Sequence, residues 1–308
     1  MRPLLGRMSG VATSRYAPDR GLSARMGLTL FFLGLLYVVL MAVLIAVGVT
    51  AIFALVIAGV GLFSQWYFSD RIALYSMGAR EVTPEQAPQL HALIDRLCAM
   101  ADMPKPRVAI ADTDMPNAFA TGRSRHRAVV CVTTGLLRRL DVDELEGVLS
   151  HEMSHVSHND VTVMTVASFA GVLAGFLTRM VMWGGIGRRR DDGNTALLFL
   201  AVIAVSMLVY AVSFVLTRML SRYRELSADR AGALLTGKPS ALGSALRKVS
   251  GDMSSIPAAD LRQAEAFNAF FFAPALANGL SLSTLFATHP PLEKRLEQLA
   301  EIARQLGQ

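Results

Sequence analysis

The sequence predicts a mainly α-helical membrane protein: two transmembrane hairpins interleaved with the two parts of a water-facing domain that holds a small β-sheet. Three observations carry this. Residues 26–69 contain no Asp, Glu, Lys or Arg in 44 positions. Two more apolar runs, 161–178 and 193–217, follow in the second half. Between the first pair of runs and the second stands HEMSH at 151–155, a spacing that belongs to metal chemistry. The whole chain is 53% hydrophobic and 18% charged, far from the balance of an ordinary soluble domain.

Residues 1–25 form a basic tail. Arg2, Arg7, Arg15, Arg20 and Arg25 face a lone Asp19, the positive-inside signature of a cytoplasmic segment. Residues 26–69 suffice for two membrane helices of ~20 residues each. Gly48, Val49 and Thr50 supply the turn, and Trp66 and Tyr67 are interfacial anchors at the exit. The segment is too long for the apolar core of a cleaved signal peptide, so it is retained. The net charge of +6 is concentrated in the tail and loops, which argues against a nucleic-acid partner. Cys98 and Cys131 lack CxxC spacing and read as free thiols in a reduced compartment.

Residues 70–160 are the first part of the water-facing domain. Thr83-Pro84-Glu85-Gln86 reads as a helix start, running to about Ala101 before Pro104 and Pro106. Arg107–Ala111 is a short strand. Residues 117–121 and 128–132 form paired strands around the loop 122–127, whose three arginines read as solvated. Asp141 caps the next helix, with Asp143 and Glu144 in its first turn. Leu145, Val148, Leu149 and Val156 supply its apolar face, and Gly147 permits close packing four residues before His151. On such a helix His151 and His155 lie one turn apart on one face, so both imidazoles reach a single Zn²⁺. Glu152, rotated about 100° from His151, suits work on the metal's water rather than ligation. The competing reading is a surface helix with two histidines by accident.

Residues 161–217 are the second hairpin. The 18 uncharged residues of 161–178 are near the lower limit for a span and also suit a buried core helix; the 25 of 193–217 read as a full span. In this topology Arg179, Arg188, Arg189 and Arg190 fall on the far side, partly offset by Asp191 and Asp192. A shallow hairpin and an exception to the charge rule both accommodate them. Residues 218–308 complete the domain: helices over 221–235 and 240–249, an aromatic stretch at 267–286, and an amphipathic closing helix over 292–306. The aromatic stretch suits core packing, a wall beside the substrate, or a membrane contact.

A catalytic zinc takes three protein ligands and keeps one position open. His158 is too close to a fraying helix end and reads as a solvent or supporting residue. Glu225 is the better third ligand, with Asp229 one turn later and Arg222 one turn earlier. Asp229 suits the acceptor that a ligand histidine needs to fix its tautomer. Alone, this trio describes an ordinary ion-paired helical face better than a ligand. The hairpin favours the ligand, because it returns 155 and 225 to one spot at the membrane surface. Two histidines and a glutamate make the arrangement gluzincin-like.

With these residues in place, the chain resembles the HtpX-type membrane zinc metalloproteases, heat-shock-associated bacterial quality-control peptidases related to the CAAX prenyl proteases. The resemblance spans roughly residues 25–305. It rests on NAFATG at 117–122, VTTGLL at 132–137, and ELEGVLSHEMSH at 144–155 followed by Asp160. SRYRELSADR at 221–230 and THPPLEKRLEQL at 288–299 complete it. It implies one Zn²⁺ per chain on His151, His155 and Glu225, Glu152 as catalytic base, and Asp229 supporting a histidine ligand. It implies that Asn117, Ala118, Phe119 and Ala120 form an edge strand for substrate. His289 would stabilise the oxyanion or serve a structural role beside its two prolines. The implied partners are polypeptides, chiefly misfolded or damaged membrane proteins, and the lipid bilayer. The implied place is the bacterial inner membrane, crossed several times, with the catalytic site facing the cytoplasm. One alternative is a processing peptidase for lipidated C-termini, for which four apolar runs leave little enclosing material. The other is a non-catalytic zinc-binding membrane sensor or scaffold, disfavoured because structural zinc is usually closed by four protein ligands.

Overall fold

The structure, a computed structural model, describes residues 20–46, 51–169, 173, 193–255 and 289–308. Most of the basic tail, the turn at 48–50, the four arginines at 179 and 188–190, and the aromatic stretch 267–286 lie outside these. Helices α1 (Arg20–Ala46) and α2 (Ala51–Tyr67) form the first apolar pair. α3 (Ser69–Ser76) continues from α2, since Ile72 N–H still donates to the Phe68 carbonyl at 2.9 Å. Strand β1 (Ala79–Glu81), α4 (Pro88–Ala101), β2 (Arg107–Ala111), β3 (Ala118–Thr121) and β4 (Val129–Thr133) follow. Then come α5 (Thr134–Arg139), α6 (Val142–Ser157), α7 (Asp160–Phe169), α8 (Gly193–Thr236), α9 (Pro239–Ser255) and α10 (Leu292–Gln305).

Two helices are long and apolar enough to cross a bilayer among the described residues, Arg20–Val43 and Leu200–Thr236. α2, at 17 residues, and α7 are apolar but shorter. All four meet in one apolar cluster: Leu40 of α1, Ala58 and Leu62 of α2, Phe169 of α7 and Val209 of α8. Gln65 of α2 donates to Ser168 Oγ of α7 at 3.1 Å, satisfying two polar side chains within this bundle. The protein is a membrane protein.

α8 is one uninterrupted helix of 44 residues. The sequence suggests a break where the apolar run ends at Thr217, but the polar residues that follow are good helix formers and nothing stops the helix before Gly237 (φ +66°). At 1.5 Å per residue α8 is about 66 Å long, roughly twice the ~30 Å hydrocarbon core. Its apolar first half is long enough for a span, and its polar second half carries Glu225 and Asp229.

The sheet runs β1-β2-β4-β3, with β2 and β4 parallel and both outer strands antiparallel. Strand alternation gives it two buried faces. Val108, Ala118, Val130 and Val132 pack into the main core with Ile94 and Leu97 of α4 and Val148, Leu149 and Met153 of α6. Ala109, Ala111, Phe119, Val129 and Cys131 face Ala73 of α3, so the outward extension of α2 is clamped onto the sheet. Cys98 and Cys131 are buried free thiols.

Two expected boundaries move. The helix expected from Thr83 begins at Pro88: Thr83 to Ala87 instead form a turn closed by Gln86 N–H and Ala87 N–H on the Thr83 carbonyl. A residue before proline is excluded from helical backbone, and Ala87 sits at φ −141°, ψ 62°. The first paired strand starts one residue late, because Asn117 N–H is taken by the Thr133 hydroxyl at 2.9 Å.

Candidate metal centre

α6 is fixed at its start by a capping box. The Asp141 carboxylate accepts from Glu144 N–H at 2.9 Å, and Glu144 reaches back to Asp141 N–H at 3.0 Å. Two glycines let its neighbours close on it. A Cβ at Gly147 would stand 3.2 Å from Leu242 of α9, and one at Gly232 of α8 only 3.0 Å from His151 N. The second contact sets the α6–α8 separation at the level of the histidines. α6 then ends at His158, and Asn159 adopts the left-handed conformation (φ 56°) that turns the chain so Asp160 faces back onto His155.

The structure brings His151, His155 and Glu225 together: one ligand atom from each lies within 4.8 Å of the others, and all three residues are buried. His151 Nε2 is 3.4 Å from Glu225 Oε2, and His155 Nε2 is 3.5 Å from Glu225 Oε1. These separations exceed a normal N–H···O bond. They match the roughly 3.4 Å between tetrahedral ligands held ~2.0–2.1 Å from one ion of zinc's size. The rings of His151 and His155 are nearly perpendicular, at 89°, with centroids 4.9 Å apart. Burial alone disfavours an imidazolium at His151. Its contacts with Asp229 and Glu225 outweigh that and raise its pKa to about 9, so the spot favours a cation. The donor set fits a divalent metal.

Both histidines are oriented from behind. His151 Nδ1 lies 2.9 Å from Asp229 Oδ1, and His155 Nδ1 lies 2.6 Å from Asp160 Oδ2. Each carboxylate carries its own arginine. Arg295 of α10 grips Asp229 with two bonds of 2.7 Å, and Arg224 Nε lies 2.8 Å from Asp160 Oδ2. Asp160, Arg224 and Arg295 were not singled out by their spacing. Arg222, expected beside Glu225 and Asp229, is half-buried one turn before Glu225, while the guanidiniums on the two aspartates belong to Arg224 and Arg295. His158 Nδ1 lies 2.9 Å from the Ser154 carbonyl, at the helix end and apart from the ligand cluster. His289 does approach the centre, with Nδ1 3.1 Å from Glu225 Oε2.

Glu152 faces the sheet. Its Oε2 accepts from Ala120 N–H of β3 at 3.0 Å. Burial, helped by the Glu225 charge, pushes its carboxyl up to about 7 against the opposing effects of His151, the Ala120 amide and Arg295. β3 is the edge strand on this side. Asn117 carbonyl accepts from Thr133 N–H of β4, so by strand alternation Ala118 and Ala120 turn their backbone groups away from β4, to the side that no other described strand covers. Phe119 points its ring into the α3 face and Ala118 its methyl into the main core.

The profile of peptidase family M48 matches residues 84–303. Over 295 residues the chain is 57% identical to protease HtpX homolog 1 of Streptomyces coelicolor, covering 96% of this chain and 97% of that protein. It is 54% identical over 292 residues to the protease HtpX homolog of Moorella thermoacetica, covering 94% and 96%. The chain belongs to peptidase family M48. Among solved structures it is similar to S. mikatae Ste24p, with a TM-score of 0.52 at 17% identity over 91% of this chain and 67% of that one; this likeness speaks for the fold alone. The M48 chain is thus a membrane metalloprotease, and the resemblance read from its motifs to HtpX-type enzymes holds.

Proposed function

We propose that this M48 protease is a zinc-dependent endopeptidase that cleaves misfolded or damaged membrane proteins at the cytoplasmic surface of a bacterial inner membrane. The observation that carries the reading is the juxtaposition of the His151–His155–Glu225 cluster with a buried glutamate bonded to the outer strand of the sheet. An extended polypeptide adds to such an edge through backbone hydrogen bonds, largely independent of its sequence, which suits a quality-control enzyme.

His151, His155 and Glu225 would hold one zinc ion. Bound there, zinc supplies a Lewis acid for the scissile carbonyl and lowers the pKa of water to about 7. The backbone of Ala118 and the carbonyl of Ala120 would align the substrate strand, and Asn117 anchors the start of β3 on Thr133. Glu152 takes the proton of the attacking water and returns it to the leaving amine. A carboxyl with its pKa near neutrality serves both steps. His289, whose Nδ1 lies 3.1 Å from Glu225 Oε2, would donate to the oxygen that becomes negative. Arg295 and Arg224 keep Asp229 and Asp160 charged behind the histidines.

One contact of α1 supports the cytoplasmic orientation. Arg25 lies 4.2 Å over the ring of Tyr223, two residues before Glu225, so the basic end of the first span and the metal centre share one side. The charge rule favours the cytoplasm for that side.

The test is cleavage by detergent-purified protein stripped of metal and restored with zinc, on an unfolded soluble protein and on itself. Wild type should cut only with zinc; Glu152→Gln should retain zinc and not cut. Equal cleavage by the two would end the proposal.

A further inference from the structure

The end of α2 and the start of α3 carry four aromatic rings in contact. Phe63 lies 5.5 Å from Tyr67 and 6.1 Å from Trp66, and Tyr67 lies 5.0 Å from Phe68. A guanidinium stands at each end of this row. Arg123 is 4.1 Å from the Tyr67 centroid and 5.9 Å from that of Trp66, and it donates to the Tyr67 carbonyl at 3.3 Å. Arg71 lies 6.0 Å from the Phe68 ring.

The apolar surface does not stop with α2. Exposed Val56, Val60 and Phe63 continue into exposed Phe68, Ile72 and Tyr75, the last 90% accessible. Phe68, Arg71, Ile72 and Tyr75 line an open groove of about 510 Å³ with Ser64 and Gln65. α3 spends its opposite face, Ala73, on the sheet, so this stripe is the face it turns outward. A helix facing water does not keep such a stripe in line with a membrane-facing one.

The charge around it has one sign. Asp70, the acidic residue of α3, is engaged by Arg107 at 2.6 Å. The loop after β3 adds Arg125, His126 and Arg127, and no Asp or Glu occurs between Asp114 and Asp141. Trp and Tyr mark the headgroup level of a bilayer, and clustered arginines at that level attract anionic lipids.

We propose that this girdle binds an anionic phospholipid, with the headgroup at Arg71 and Arg123 and an acyl chain along Phe68, Ile72 and Tyr75. Lipid is favoured over a polypeptide because the groove continues the bilayer-facing side of α2 and its rim is positive. The site also bears on the peptidase geometry. Arg123 lies two residues after β3, Thr162 of α7 donates to its carbonyl at 3.3 Å, and Arg125 donates to the Ser157 carbonyl at the end of α6. A headgroup held at Arg123 ties the substrate edge and the α6–α7 junction to the membrane surface.

The test uses the full-length protein in detergent with equimolar phosphatidylglycerol and phosphatidylcholine, read by native mass spectrometry. In parallel, quenching of Trp66 by acyl-brominated lipid is measured with the other tryptophan removed (Trp183→Phe). Phosphatidylglycerol should remain bound preferentially and quench Trp66 more strongly. The double variant Arg71→Gln/Arg123→Gln should lower that preference roughly 30-fold, whereas Arg71→Lys/Arg123→Lys should keep it, which separates loss of charge from loss of fold. Equal retention of both lipids by wild type, or an undiminished preference in the glutamine variant, overturns the proposal. So does displacement of the lipid by millimolar inorganic phosphate, which would make the arginines a site for free anions, or by a soluble polypeptide.

Discussion

Arg295 is 1% exposed, is not one of the three metal-ligand residues, and yet should govern metal affinity through Asp229. Its two 2.7 Å bonds hold Asp229, itself 0% exposed, whose other task is His151 Nδ1 at 2.9 Å. Replacing it by methionine preserves bulk and removes the charge. The aspartate is then left buried without a counter-ion, a change that costs about 3–5 kcal/mol when a buried pair is broken on one side. The centre has one inexpensive escape, protonation of Asp229, which weakens its hold on the imidazole. Loss of such an outer partner typically lowers metal affinity ~10–100-fold, equivalent to about 1.4–2.8 kcal/mol. Zinc affinity by competition with a chromophoric chelator reads this directly, without recourse to activity. Arg295→Lys should fall between wild type and Arg295→Met, keeping the charge and losing the fork. Asp229→Asn combined with Arg295→Met should cost much less than the sum of the two, because they act as one unit. Wild-type zinc affinity in a folded Arg295→Met protein would refute the reasoning.

Two further outcomes follow from the same contacts. Ala118→Pro removes an N–H that points away from β4 on an outer strand, where proline is tolerated, so the fold should survive while KM for an unfolded substrate rises ~2–10-fold with kcat little changed; an unchanged KM would show that substrate does not pair with β3. At the start of α6, burial raises the Glu144 pKa, but hydrogen bonds from Lys248, Ser244 and Asp141 N–H outweigh it and lower the pKa overall. A carboxylate depressed in the folded state stabilises above its unfolded pKa of about 4.3 and loses that contribution as pH falls through the folded value. Thermal melts should therefore show a gap between wild type and Glu144→Gln that is full at neutral pH and closes in acid; a gap independent of pH would remove the carboxylate from the account.

What could be read from the sequence divides by range. α6 was legible because cap, apolar period and histidine spacing are all written within seventeen consecutive residues, Asp141 to Ser157. Glu225 needed topology as well: its helix alone looks like any charged surface, and the apolar hairpin singles it out. Asp160, Arg224 and Arg295 are bound to the site by contacts between α7, α8 and α10 that leave no period in the sequence. Spacing drew attention instead to Arg222, which shares a helix with Glu225 and Asp229, when Asp229's arginine comes from a different helix. The unbroken α8 was obscured by a change of composition at Thr217, since hydropathy reports where the solvent changes and not where a helix ends. The start of α4 was misplaced because Thr83 and Pro84 are a good helix start, and only Pro88 imposes a later one.

X-ray absorption at the zinc edge of the reconstituted protein tests the central claim most directly. The account predicts two imidazole nitrogens at ~2.0–2.1 Å, one carboxylate oxygen from the protein and an oxygen from solvent, with the protein oxygen lost in Glu225→Gln. A third imidazole, from His158 or His289, or a sulfur shell near 2.3 Å would contradict it.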